Sequence, residues 1–216
     1  MFPLPANIYA EIAAFLTSVI FWPQLRLTKL RWLPLFLFFI VGVELTGRHI
    51  YKSMHQPNAW IYNISVPVEY LYYSYLFYTF YSRKIYRYAA CLFIAGFTVW
   101  VIISIFFISG IYTFNDNFLK AGSISMVLFC LLYFIELLMA DEMINPFTQP
   151  MFWIACGLFL FNAGEFAYDT FSHILMKKWM YGKKLFAQIN NNLIFVLYSS
   201  IIIAIISAAW IPKEKT

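Results

Sequence analysis

The chain has 216 residues, of which 62% are hydrophobic, 22% aromatic and only 12% charged. Soluble domains carry about a quarter charged residues and less than half apolar ones, so this composition excludes a water-soluble globule, a disordered tail and a disulfide scaffold. The 15 Lys and Arg outnumber the 10 Asp and Glu, for a net charge of +5. They lie in or beside the polar breaks between apolar runs, as residues flanking membrane spans do. Nucleic acid is thereby excluded as a partner, and the lipid bilayer is the expected one.

A spanning helix needs about 20 mostly apolar residues to cross roughly 30 Å of hydrocarbon. Runs of that kind occur at 6–22, 32–50, 60–82, 86–109, 120–140, 149–171 and 188–210, which predicts one all-α domain, residues 1–216, of seven transmembrane helices. The first run has no basic start and no small-residue cleavage site, and it contains Glu11, so it reads as a retained helix rather than a signal peptide. Pro23, Arg26, Lys29 and Arg31 separate it from the second run, which carries Glu44 and Arg48. After His55, Pro57 and Asn58 comes the third, with Asn63, Pro67 and Glu69; Pro67 is expected to interrupt the helix and free a carbonyl beside the carboxylate. Ser82, Arg83 and Lys84 form a tight turn into the fourth run. Gly110, Asn115 and Asn117 precede the fifth, which bears Glu136 and is followed by Asp141, Glu142 and Pro146. The sixth carries Asn162, Glu165 and Asp169. The longest break, 172–187, holds Lys177, Lys178, Lys183 and Lys184 around Trp179 and Tyr181, and reads as an interfacial stretch with a short amphipathic helix. The seventh run opens on Asn190, Asn191 and Asn192.

Seven spans put the termini on opposite sides. Basic residues divide almost evenly between the two ends, and the early loop with Arg26, Lys29 and Arg31 tips the expectation toward an external N-terminus and a cytoplasmic C-terminus. Cys91, Cys130 and Cys156 sit inside apolar runs without metal spacing and read as small hydrophobes. His49, His55 and His173 are too scattered for a haem or zinc site, so no cofactor and no metal are expected. The sequon at Asn63 lies too close to the membrane to be glycosylated, and the seventh run has no retinal-type lysine.

The asymmetry between acids and bases is the informative feature. Glu11, Glu44, Glu69, Glu136, Glu165 and Asp169 all fall within predicted spans, where the only basic residues, Arg48, Arg87 and Lys120, sit at the span ends. A carboxylate at the bilayer centre costs about 2.5–3.5 kcal/mol on insertion scales, and such residues face the bundle interior. With alternating helix direction, all of these except Glu136 fall in the half of the bundle where the chain enters, the near end, together with Asn63, Asn162 and Asn191. Asn162, Glu165 and Asp169 are spaced by three and four and share one helix face. Glu44 and Arg48 are spaced for mutual neutralisation, while Glu165 and Asp169, spaced the same way, are expected to share a proton or a cation. The alternative reading is structural: acids near helix ends reach headgroup water, and Asn and Glu between helices act as packing glue. Most of the aromatic residues read as packing or lipid-facing material, with Trp22, Trp32, Trp60 and Trp210 at the span ends.

A division of the helices into three, one and three sets Glu44 against Glu165, and the stretch 61–64 against 189–192, as a faint parallel repeat. The first run ends in Trp22, Pro23 and Gln24, which resembles the Pro-Gln turn of the PQ-loop and SWEET transporters; those families also carry Asn in their third and seventh helices, whereas the fifth helix here lacks a matching Pro-Gln. Through Glu44, the segment Phe134, Ile135, Glu136, Leu137 and Leu138 with Asp141, the pair Tyr168 and Asp169, and the Asn residues of the last helix, most of the chain resembles a family of small uncharacterised bacterial seven-helix membrane proteins. That resemblance implies the fold and a bacterial inner membrane, and no activity.

The functional expectation is a cavity open to the exterior that binds a small polar or cationic solute for transport. Glu69 and Glu165 are its central acids, and Asn63, Asn162 and Asn191 its hydrogen-bonding groups. Glu11, Glu44 and Asp169 line the entrance, and Glu136 relays a proton or cation at the opposite end. A sensor or partner subunit acting through a second membrane protein is the alternative; no catalytic constellation is visible, and an enzyme is not expected.

Overall fold

In a computed structural model the backbone is described for residues 5–140, 145–178 and 182–210, with side chains described throughout these segments except 168–187. The described residues are helical and irregular, without strands. The elements are α1 (Ala6–Ile20), the single turn α2 (Trp22–Leu25), α3 (Leu33–Ser53), α4 (Ala59–Phe80), α5 (Lys84–Ile103) continued by a π-helical turn (Ser104–Ile108), α6 (Asp116–Leu138), a 3₁₀ turn (Pro146–Thr148), α7 (Pro150–Lys178) and α8 (Gly182–Trp210). Each predicted run is therefore helical. Long unbroken helices are what such sequences must form, because hydrocarbon offers no partner for a free backbone amide or carbonyl.

Among the described residues, five helices are long and apolar enough to cross a membrane: Leu33–Ser53, Lys84–Ile108, Asp116–Leu138, Pro150–Ala167 and Gln188–Trp210. The expected number was seven. α1 is apolar but has only 15 residues, and α4 has 22 but is made more polar by Asn63, Glu69 and a series of tyrosines. Two further expectations are corrected. α4 runs through Pro67 without interruption, as membrane helices do where packed neighbours compensate the missing bond. The break at 172–187 is largely helix, since α7 continues to Lys178 and α8 begins at Gly182. Its Lys, Leu, Met and Ala residues end the apolar run but are good helix formers, so polarity there marked an interface and not a helix end.

The helices close into a ring. α1 packs on α3, α3 on α4, α4 on α6, α6 on α7, α7 on α8, and α8 back on α1. α5 stands outside this ring against α4 and α6, and of it and its continuation only Ala90, Phe97 and Ser104 are buried. Many of the fully buried side chains lie in the far half of the bundle, among them Leu25, Leu33 and Leu37 from the first hairpin, Phe77 from α4, Cys130 from α6, Met151 and Ile154 from α7 and Ile205 from α8; Ile8 of α1 and Phe118 of α6 are buried as deeply in the near half.

Close approach of α4 and α6 depends on Gly122, where any Cβ would run into the ring of Tyr70. The Tyr70 hydroxyl hydrogen bonds the Ser123 hydroxyl at 3.0 Å beside it. Gly122→Val should therefore overpack this contact and destabilise the fold by about 1–3 kcal/mol, read as a lowered Tm of the detergent-solubilised protein.

Candidate functional site

The residues that face the ring interior are spaced as helix faces require. α1 supplies Asn7 and Glu11, and α3 supplies Ile40 and Glu44, each pair four apart. α4 supplies Tyr62, Val66, Glu69 and Tyr73, spaced by four, three and four. α7 adds Leu158, Asn162 and Glu165, and α8 adds Asn190, Asn191, Ile194 and Tyr198. Together they line one cavity of about 440 Å³ in the near half of the bundle.

Four carboxylates, those of Glu11, Glu44, Glu69 and Glu165, face this cavity, and among the described residues lining it there is no Lys, Arg or His. Glu44 accepts a hydrogen bond from the Tyr62 hydroxyl. Glu69 is within electrostatic reach of Glu44, Glu165 and Glu11. Several lining oxygens have no hydrogen-bond partner in the protein: Asn7 Oδ1, Glu11 Oε2, Asn162 Oδ1 and Asn190 Oδ1, together with the Tyr73 hydroxyl. Asn162 is 1% exposed and Glu11 3%. Buried polar groups are nearly always partnered, by protein or by water, so this wall is built for something other than protein contact.

Six of the sequence-predicted residues thus meet in the cavity: Glu11, Glu44, Glu69, Asn162, Glu165 and Asn191. Asn63 and Glu136 do not join them. The side chain of Asp169 lies outside the described residues. Asn63 is 1% exposed, away from the cavity wall. Its Nδ2 donates to the carbonyls of Ile111 and Thr113, both at 2.7 Å, and its Oδ1 accepts from the Asn115 amide at 3.1 Å. Asn115 in turn donates to the Ser104 hydroxyl at 2.6 Å and caps α6 by accepting from the Asn117 amide. Asn63 is therefore the anchor of the connection between α5 and α6. The residue type suited a ligand site, but the tight turn at Gly110 (φ +71°) leaves carbonyls facing inward that need a buried donor.

Glu136 lies at the far end and caps a helix. Its Oε1 accepts from the amides of Ser82 and Arg83, both at 2.7 Å, at the start of α5. A carboxylate there satisfies two amides of a helix N-terminus and complements its dipole. Around it, Lys29 lies 5.0 Å over the Phe80 ring and Arg87 4.9 Å over Tyr78. Burial pushes the Lys29 ammonium below its usual range, Arg87 adds to this, and Glu136 opposes it. Glu136→Ala should cost about 1–3 kcal/mol through the lost amide bonds, measured as faster hydrogen exchange at the start of α5, and should leave solute binding unchanged.

The tyrosines of the wall and Asn7 were not singled out from sequence, and of the Asn residues that open the last helix only Asn191, not Asn190, was assigned to the site. Tyr62 and Tyr73 stand seven before and four after Glu69, so the periodicity around that acid carried the signal. No protein-family model, curated protein or solved structure matches the chain.

Proposed function

We propose that the chain crosses the membrane seven times and that its near-end cavity binds a small polar or cationic solute for transport, with the exterior on the cavity side and proton transfer on the cavity carboxylates as the coupling step. The observation that carries this reading is the convergence of four acids from α1, α3, α4 and α7 on one cavity, with no basic side chain among the described residues that line it. Acids inside a membrane bundle mark solute and proton pathways. Support for a carrier facing one side comes from the position of the cavity among near-half residues. Helix neighbours also support a three, one, three division: α1, α3 and α4 follow one another around the ring, α6, α7 and α8 do the same, and the connecting α5 is left outside. α1 continued by α2 supplies the first span in this reading.

Purified protein in sealed vesicles containing a pH-sensitive dye should move protons when a cationic solute gradient is imposed, and Glu165→Gln should lose that signal. A second reading, a sensor or partner subunit, is favoured by the outlying α5, whose Leu92, Val99, Phe106 and Phe107 are exposed. No flux under any gradient, with stable co-purification of another membrane protein, would select that reading instead.

A further inference from the structure

We propose that the cavity takes a linear organic diamine or polyamine, a flexible chain with an ammonium group at each end; this deepens the solute-binding reading above and rests on it. The hydrogen-bonding deficit of the wall is weighted to acceptors, with the Tyr73 hydroxyl the one buried unpartnered group among the described lining residues that also carries a donor. Asn7 Oδ1, Glu11 Oε2, Asn162 Oδ1 and Asn190 Oδ1 are acceptors without donors. The orientation of Asn162 is set by its other end, since Nδ2 donates to the Leu158 carbonyl at 2.8 Å. An alkylammonium brings three donors and no acceptor, whereas a sugar or polyol brings an acceptor with every donor. The charge among the described lining residues has one sign, with four carboxylates and no basic group.

The spacing of the acids separates an extended cation from a metal ion. Among the described residues no three His, Cys, Asp or Glu side chains are close enough to hold a metal. Glu11 and Glu44 belong to the α1–α3 wall and Glu165 to α7, and Glu69 interacts electrostatically with both sides. That is a distributed field, matched by charges separated along a chain and not by one point charge. The same wall also carries aromatic and aliphatic side chains, among them Tyr70, Tyr73, Ile194 and Tyr198. These faces suit the methylenes of a diamine, and a tyrosine ring also attracts an ammonium. A volume of about 440 Å³ is of small-ligand size.

The test is equilibrium binding to the full chain in lipid nanodiscs, with diaminobutane, butylamine, calcium and butanediol as probes. Diaminobutane should bind at least about tenfold more tightly than butylamine, and neither calcium nor butanediol should compete with it. Glu165→Gln should bring the affinity for diaminobutane down to that of butylamine while leaving butylamine binding nearly unchanged. Glu11→Gln repeats the test from the opposite pole, with Tm measured on both variants. Equal affinity for the two amines, preferential calcium binding, or a diamine preference surviving both substitutions overturns the proposal. Binding of butanediol alone overturns it while the solute cavity stands; binding of no probe removes both.

Discussion

Glu69→Gln should weaken solute binding about 100-fold and leave the fold intact. Glu69 is the acid at the centre of the cavity, within electrostatic reach of Glu44, Glu165 and Glu11. The amide is nearly isosteric with the carboxyl group, so the packing of α4 is preserved. What disappears is the charge that a bound cation would neutralise. A loss of about 100-fold in affinity, near 2.7 kcal/mol, is expected for one buried charge partner. Stability should stay level or rise by up to about 1 kcal/mol, because one of several like charges crowded on a cavity wall has gone. Binding and thermal denaturation measured on the same preparation read the two effects separately. A Glu69 that serves only as packing glue would give the opposite pair of results, a lower Tm with binding unaffected.

Asn63→Ala should show that opposite pattern. The substitution removes the only side chain tied at once to Ile111, Thr113 and Asn115. Buried hydrogen bonds contribute about 0.5–1.5 kcal/mol each, and orphaned buried partners cost more than that. Three such bonds make a loss of about 2–4 kcal/mol, the largest stability effect anticipated for a single polar residue here. Hydrogen exchange across the connection between α5 and α6 should accelerate most, and solute binding should persist at temperatures where the variant remains folded.

The contrast between these two residues of α4 shows where sequence reading succeeds. Glu69 was legible because a carboxylate in an apolar run has few inexpensive explanations, and helix direction places it at the same depth as Glu11, Glu44 and Glu165. Helix faces followed from spacing alone, so Asn162 and Glu165 could be set on one side of α7 before any coordinates. Asn63 sits at the same depth and has a suitable side chain, yet it turns to a connection that sequence does not describe. Its role depends on which carbonyls the turn at Gly110 leaves unpaired, a fact of tertiary structure. Glu136 is similar: its partners, the amides of Ser82 and Arg83, are more than fifty positions away in the chain. The extension of α7 and α8 was missed for a local reason. Apolarity marks what hydrocarbon can cover, while helix formation continues as long as backbone bonds can be made.

The tyrosines were obscured by abundance. With 16 Tyr, 24 Phe and 7 Trp in the chain, an aromatic residue at a given position carries little information without its neighbours. Tyr62 becomes recognisable only once its hydroxyl is seen on Glu44, and Tyr70 only once Gly122 is seen to make room for its ring.

Everything turns on whether the near-end cavity holds water reachable from one side of the membrane. Single cysteines in place of Asn191 and Ile194, in a background with Cys91, Cys130 and Cys156 replaced by Ala, can be exposed to a membrane-impermeant thiol reagent on sealed vesicles of known orientation. Both positions should react from the side of the α1 N-terminus and not from the other, and a cationic solute should slow the reaction. Unreactive thiols at both positions, alongside prompt labelling of a Lys29→Cys control from the opposite side, would mean a dry helix interface where a binding chamber is claimed.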